Sequence, residues 1–110
     1  NVEIEDALKN IDTDNWLALR DKALILFLYA TGLRVTEAMD AKKSDIEEGW
    51  IRVRSGKGDK ERLVSIALLA LKTLNDYLFK RPHISDYLFI NSNGGRLSRI
   101  SAFHITKKYL

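Results

Sequence analysis

Two groups of cations carry most of the chemical interest in this chain. The first lies in RVRSGKGDKERLV, Arg52 to Val64, where Lys57 is fenced by Gly56 and Gly58. The flanking runs alternate apolar and polar residues, which predicts a hairpin with Lys57 in its connection, where a long cation adds nothing to a core. Arg52, Arg54, Lys60 and Arg62 share that hairpin. A basic hairpin tip can enter a DNA groove or touch phosphates. A solvated lysine in an ordinary surface turn fits the local sequence as well.

The second group is in YATGLRVTEAMDAKKSDI, where Arg34 follows a glycine turn at the predicted start of a short helix and Glu37 stands three residues on, on the same face. A guanidinium oriented by a carboxylate beside a helix start offers a bidentate fork to a phosphate. Taken alone, a surface Arg–Glu pair explains the same spacing.

Nucleotide-binding motifs do not account for the lysine. A P-loop places Ser or Thr after Gly-Lys and a helix after the loop. Here Gly58 follows Lys57, Ile51 stands at the position of the first glycine, and strand-like sequence comes next. The G-x-G-x-x-G pattern fails as well, because Glu61 replaces its last glycine.

The elements that must position these groups are mainly helical. VEIEDALKNI spaces Ile4, Leu8 and Ile11 as one helical face. A second helix through NWLALRDKALILFLYA, capped by Asp12 or Thr13 with Asp14 in its first turn, is apolar nearly all round and is predicted to be the central buried helix. Gly32 is expected to close it in the left-handed conformation. From Asp45 the period changes to two: Ile46, a turn at Glu48-Gly49, then Trp50, Arg52 and Arg54 on one face and Ile51 and Val53 on the other. ERLVSI supplies a third strand. ALLALKTLNDYLFKR reads as an amphipathic helix with Leu68, Leu71, Leu74, Tyr77 and Leu78 near one stripe, stopped by Pro82. YLFI is predicted to be extended, NSNGGR a turn, and RISAFHITKKYL a last helix capped by Ser98. The expected fold class is α+β: mainly helical, with a small three-stranded antiparallel β-meander.

At 110 residues, 45% hydrophobic and 30% charged, the composition suits a globular unit with a modest core. There is no cysteine, which rules out disulfides and thiolate metal sites and is compatible with a reducing cytoplasm, the expected location. Ala23–Ala30 is too short to span a bilayer, and residues 1–10 lack a signal-peptide layout, so no membrane partner is expected. The net charge is +3, yet acids crowd the first 21 residues and none follows Asp86. That bias suggests a polyanionic partner for the later part.

ATGLRVTE and SDIEEGWIRVRSGKGDKERLVSI, in this order and separation, resemble the catalytic domain of tyrosine recombinases, the phage integrase and Xer family. LRDKALILFLY resembles that family's buried helix. The resemblance implies an enzyme that cuts and rejoins double-stranded DNA through a tyrosine attack on the scissile phosphate. The attack leaves a 3′-phosphotyrosyl link and frees a 5′-hydroxyl. By the same resemblance Arg34 holds non-bridging oxygens, Lys57 protonates the leaving oxygen, and Glu37 orients Arg34. Arg52, Arg54, Lys60 and Arg62 are then expected DNA contacts. No cofactor or metal is implied, and the full-length protein is expected to act as a tetramer on DNA.

The family also requires a His-x-x-Arg motif, a further His or Trp, and the nucleophilic tyrosine. His104 is followed three positions later by Lys107, and His83 by Asp86, so both histidines are read as surface or helix-packing residues. Tyr29, Tyr77 and Tyr87 sit in apolar patterns and are read as core or partly buried; Tyr109 comes too early in the family's order. No nucleophile is assigned. Residues 1–110 are therefore expected to be the first part of a catalytic domain, binding DNA but not cleaving it alone. A non-catalytic DNA-binding module with the same fold is the alternative, and an RNA-binding domain ranks lower for want of an aromatic strand.

Overall fold

A computed structural model describes residues 2–54 and 60–110. Five helices and one small sheet follow in chain order: α1 (Val2–Leu8), α2 (Trp16–Thr31), α3 (Val35–Asp40), a 3₁₀ turn (Lys43–Asp45), β1 (Ile46–Glu47), β2 (Trp50–Arg54), β3 (Glu61–Ser65), α4 (Leu68–Lys80) and α5 (Arg99–Tyr109). Lys57, with Ser55, Gly56, Gly58 and Asp59, lies outside the described residues.

α2 is the spine. Leu19, Ala23, Leu24, Ile25, Leu26 and Phe27 are all buried along it, as its nearly continuous apolar sequence predicts. Its cap differs from the expected one. The Asn15 side chain, not Asp12 or Thr13, accepts from the amides of Leu17 and Ala18, and no acid occupies the first turn. Asp12 instead accepts from the Asp14 amide and shapes the preceding turn. At the other end Gly32 adopts φ 68° and its N–H donates to the Leu28 carbonyl, which turns the chain sharply toward α3.

α4 packs along α2, and α5 lies against α2 and α3. The buried face of α4 is Ala70, Thr73, Leu74 and Tyr77; Leu68, expected on that stripe, is 81% exposed. Leu68 is the first residue of the helix. Phe89 ties the layers together, meeting Phe27 edge-on at 5.5 Å and stacking with Tyr77 at 5.9 Å.

The sheet is antiparallel in the order β1-β2-β3. Ile46 pairs with Ile51 and Glu47 with Trp50, so Glu48-Gly49 forms a two-residue turn. Both of its residues have positive φ, 50° and 83°, as a type I′ hairpin requires. β2 pairs with β3 from Trp50↔Ser65 to Arg54↔Glu61, and Ile51 and Val53 face the core.

Candidate phosphate-binding site

Leu33 and Arg34 show how the turn after α2 divides labour. Thr31 Oγ1 donates to the Phe27 carbonyl and accepts from the Leu33 amide, so Leu33 plugs the core while Arg34 faces solvent as the N-cap of α3. The Arg34 amide donates to Glu37 Oε1 at 2.9 Å. The same carboxylate receives a fork from Arg62 on β3, at 2.9 Å to Oε2 and 3.1 Å to Oε1. The expectation that Glu37 orients the Arg34 guanidinium needs correcting in its geometry. Glu37 holds the Arg34 backbone, and among the described residues the Arg34 side chain has no ion-pair partner.

The pleat of the sheet explains why Arg62 reaches Glu37. Arg62 pairs with Val53, a core-facing residue, and so leaves β3 on the side of α3. Glu37 keeps only 15% of its side chain exposed. The Arg62 hydrogen bonds, aided by the Arg34 amide, hold its carboxyl below the usual glutamate range despite that burial, and Glu37 in turn raises the Arg62 guanidinium.

Arg52 and Arg54 occupy the opposite face of β2. Glu61 bridges them, at 3.3 Å from Arg52 and 3.6 Å from Arg54, and Arg54 also meets Asp45 at 3.5 Å. Lys60 is exposed just before β3. The structure therefore brings together Arg34, Glu37 and Arg62, while Arg52 and Arg54 alternate to the other face of β2, pair with Glu61 and Asp45, and border the same cleft as Glu37. A cleft of about 240 Å³ between α3 and the sheet is lined by Glu37, Asp40, Lys42, Asp45, Arg52 and Arg54 among others, so it mixes both signs of charge.

α3 is anchored at its far end by residues that sequence patterns did not single out. The Leu88 amide donates to the Ala41 carbonyl, the Lys43 amide to the Asp86 carbonyl, and Lys42 pairs with Tyr87 as an antiparallel bridge. Buried Arg81 organises that segment, donating to the carbonyls of Ser85, Tyr87 and Leu88 and to the Tyr77 hydroxyl. Arg96 adds an ion pair to Asp40. The Arg81-Pro82 sequence signals a helix end but says nothing of a buried guanidinium.

The tyrosines and histidines fall differently from one another. Tyr77 is fully buried, and burial pushes its hydroxyl up from the ordinary phenol value. Tyr87 and Tyr109 are partly buried, but Tyr29, expected among the buried aromatics, is 57% exposed on the outer side of α2. His83 sits edge-on to Trp16, and His104 is exposed. No group of His, Cys, Asp and Glu suited to a metal occurs among the described residues, and none of their helices is long and apolar enough to cross a membrane.

The profile of the phage integrase family matches residues 1–110. The chain belongs to that family. It is 39% identical over 96% of its length to the tyrosine recombinase XerD of Chlorobaculum tepidum, and 38% identical over 97% to the tyrosine recombinase XerA of Pyrococcus furiosus. It spans only 37% and 38% of those two relatives. Among solved structures, a XerH site-specific recombinase bound to its difH substrate in a pre-cleavage complex superposes with a TM-score of 0.79 at 27% identity, covering 97% of this chain and 33% of that one. Within the phage integrase family, then, this chain has the α+β fold of the recombinase catalytic domain, and its helices and three-stranded sheet occur in the expected order.

Proposed function

We propose that this chain is the first portion of a catalytic domain that cuts and rejoins double-stranded DNA. In this reading it supplies Arg34 as a clamp on the scissile phosphate and Lys57 as the acid for the leaving 5′-oxygen. The observation that carries the reading is the Glu37 carboxylate, which binds the Arg34 amide and the Arg62 guanidinium together. That contact draws the Arg34 turn beside the strand leaving the Lys57 hairpin, across 25 residues of sequence. The Arg34 guanidinium stays exposed and without an ion-pair partner among the described residues, as a phosphate ligand must be.

The chemistry follows from these groups. A fixed guanidinium stabilises charge building on the non-bridging oxygens at the transition state. A lysine close to other cations gives up its proton more readily and so serves as a general acid. The tyrosine nucleophile and second arginine have no counterpart in residues 1–110 by the family's pattern, so the chain alone binds duplex DNA without cleaving it. Assembly as a tetramer on DNA belongs to the complete enzyme, and the cytoplasm is its expected location.

A chimera in which residues 1–110 replace the matching segment of the Chlorobaculum tepidum relative tests the roles. Arg34→Ala should lower cleavage about a hundredfold, the scale of one lost transition-state donor. Lys57→Ala should cost about the same on an ordinary phosphodiester. It should recover most of the loss on a substrate whose leaving group is a 5′-thiolate, which needs no proton. Unchanged cleavage by Arg34→Ala, or no recovery for Lys57→Ala, would remove the corresponding assignment.

A further inference from the structure

We propose that Arg62 is a positioning residue: its guanidinium straps β3 to α3 through Glu37, fixes the Arg34 turn, and is thereby withheld from DNA phosphate. The inference rests on the reading of Arg34 as a phosphate contact and reassigns Arg62, which its place in the hairpin sequence would count among the DNA contacts.

Geometry separates Arg62 from its neighbours. Arg52 and Arg54 reach Glu61 through single contacts of 3.3 and 3.6 Å, and Glu61 is itself 49% exposed. Water screens pairs of that kind, and their arginines remain available to an outside anion. Arg62 presents two parallel N–H···O bonds of 2.9 and 3.1 Å to a carboxylate that is only 15% exposed. A planar fork matched to a sheltered carboxylate is geometrically specific and holds both partners in one orientation. The third partner of that carboxylate is the Arg34 amide. Moving β3 or rotating the Arg62 side chain therefore shifts the acceptor on which the Arg34 backbone rests. Two functional segments distant in sequence are coupled through one carboxylate, which stays ionised because both its other partners donate to it.

The other charged groups near Glu37 do not duplicate the strap. Asp40, Lys42, Asp45, Arg52 and Arg54 line the same cleft, and Lys42 sets its ammonium over the Tyr87 ring at 6.0 Å. The Arg34 charge also favours the ionised Glu37 but makes no ion pair with it among the described residues. Asp40 is paired with Arg96, Asp45 with Arg54, and Arg52 with Glu61.

The test reads the Arg34 amide by proton–nitrogen NMR of the 110-residue chain while pH is lowered. That amide donates to Glu37 Oε1, so its shift follows the carboxylate as it takes up a proton. Arg62→Ala should move the titration midpoint upward toward an ordinary glutamate, and Arg62→Lys, which keeps the charge without the fork, should land between. A midpoint in Arg62→Ala equal to that of the unaltered chain would overturn the strap. Duplex DNA binding supplies the second readout: removing a phosphate ligand lowers the slope of log affinity against log salt by about 0.9. Measured in an Arg34→Ala background, where the Arg34 contact is already gone, the strap predicts an unchanged slope on adding Arg62→Ala, and a further fall of about 0.9 would make Arg62 a phosphate contact. If the unaltered chain shows no salt-dependent DNA binding, the proposed function fails, and the amide titration still decides the strap.

Discussion

Replacing Arg81 with methionine keeps the length of the side chain and removes its guanidinium. Four acceptors then lose a donor: the carbonyls of Ser85 at 2.8 Å, Tyr87 at 3.0 Å and Leu88 at 3.0 Å, and the Tyr77 hydroxyl at 3.2 Å. Nη1 serves three of them with two hydrogens, so the loss amounts to fewer than four full bonds. A buried acceptor left without a partner costs about 1–3 kcal/mol, and relief from burying a charge offsets part of that. The expected destabilisation is about 3–4 kcal/mol, a large share of the roughly 5–15 kcal/mol that holds a small domain folded. Urea unfolding followed by the fluorescence of Trp16 and Trp50 measures it as a lower midpoint at unchanged slope. Arg81→Lys should lose nearly as much, since one ammonium cannot span the Ser85 and Leu88 carbonyls together. A loss under about 1 kcal/mol in the methionine variant would show that these carbonyls find other donors. Arg81 would then not be the anchor of the segment that backs α3.

Phe89→Ala should cost about 3–5 kcal/mol in the same assay, because the ring is fully buried between Phe27 and Tyr77. Leu68→Ala, at an 81% exposed position, should stay within about 0.5 kcal/mol. Two carboxylates give pH effects of opposite sign. Glu37 titrates lower in the folded chain than unfolded, so its contribution is complete above the unfolded value and is lost as pH falls through the folded one. Asp21 is raised by burial, against the pull of Arg20, so its contribution is present at low pH and is lost as pH rises through its folded value. Unfolding midpoints measured across the acid range should therefore flatten on the acid side in Glu37→Gln and steepen there in Asp21→Asn. A Glu37→Gln curve parallel to that of the unaltered chain would contradict the first.

The helices and the sheet were legible because each rests on a local rule. Apolar period, the Glu48-Gly49 turn, Gly32 and Ser98 announce their elements directly, and Ser98 Oγ does accept from the Ser101 amide as a cap should. The departures from the sequence pattern have two causes, a choice among neighbouring caps and exposure set by the tertiary packing. Asn15 takes the α2 cap because it directly precedes Trp16 and accepts from the Leu17 and Ala18 amides, while Asp12 is occupied by the Asp14 amide. Leu68 and Tyr29 have apolar neighbours in sequence yet stay 81% and 57% exposed in the fold. The candidate site was half legible. Arg34 and Glu37 stand three residues apart, so their relation shows in the sequence, whereas the Arg62 fork to Glu37 joins positions 25 apart and needs the β2–β3 register to appear. Period two did place Arg52 and Arg54 together, and the same parity, applied to β3 with its register known, puts Arg62 on the core side with Val53.

Binding of the chain to a short DNA duplex, measured over a series of salt concentrations for the unaltered protein and for Arg34→Ala, tests the central claim most directly. A phosphate clamp predicts that affinity falls steeply with salt, and that Arg34→Ala weakens binding while lowering the log–log slope by about 0.9. Equal affinity and equal slope for the two proteins would contradict Arg34 as a phosphate contact, and with it the functional reading of this site.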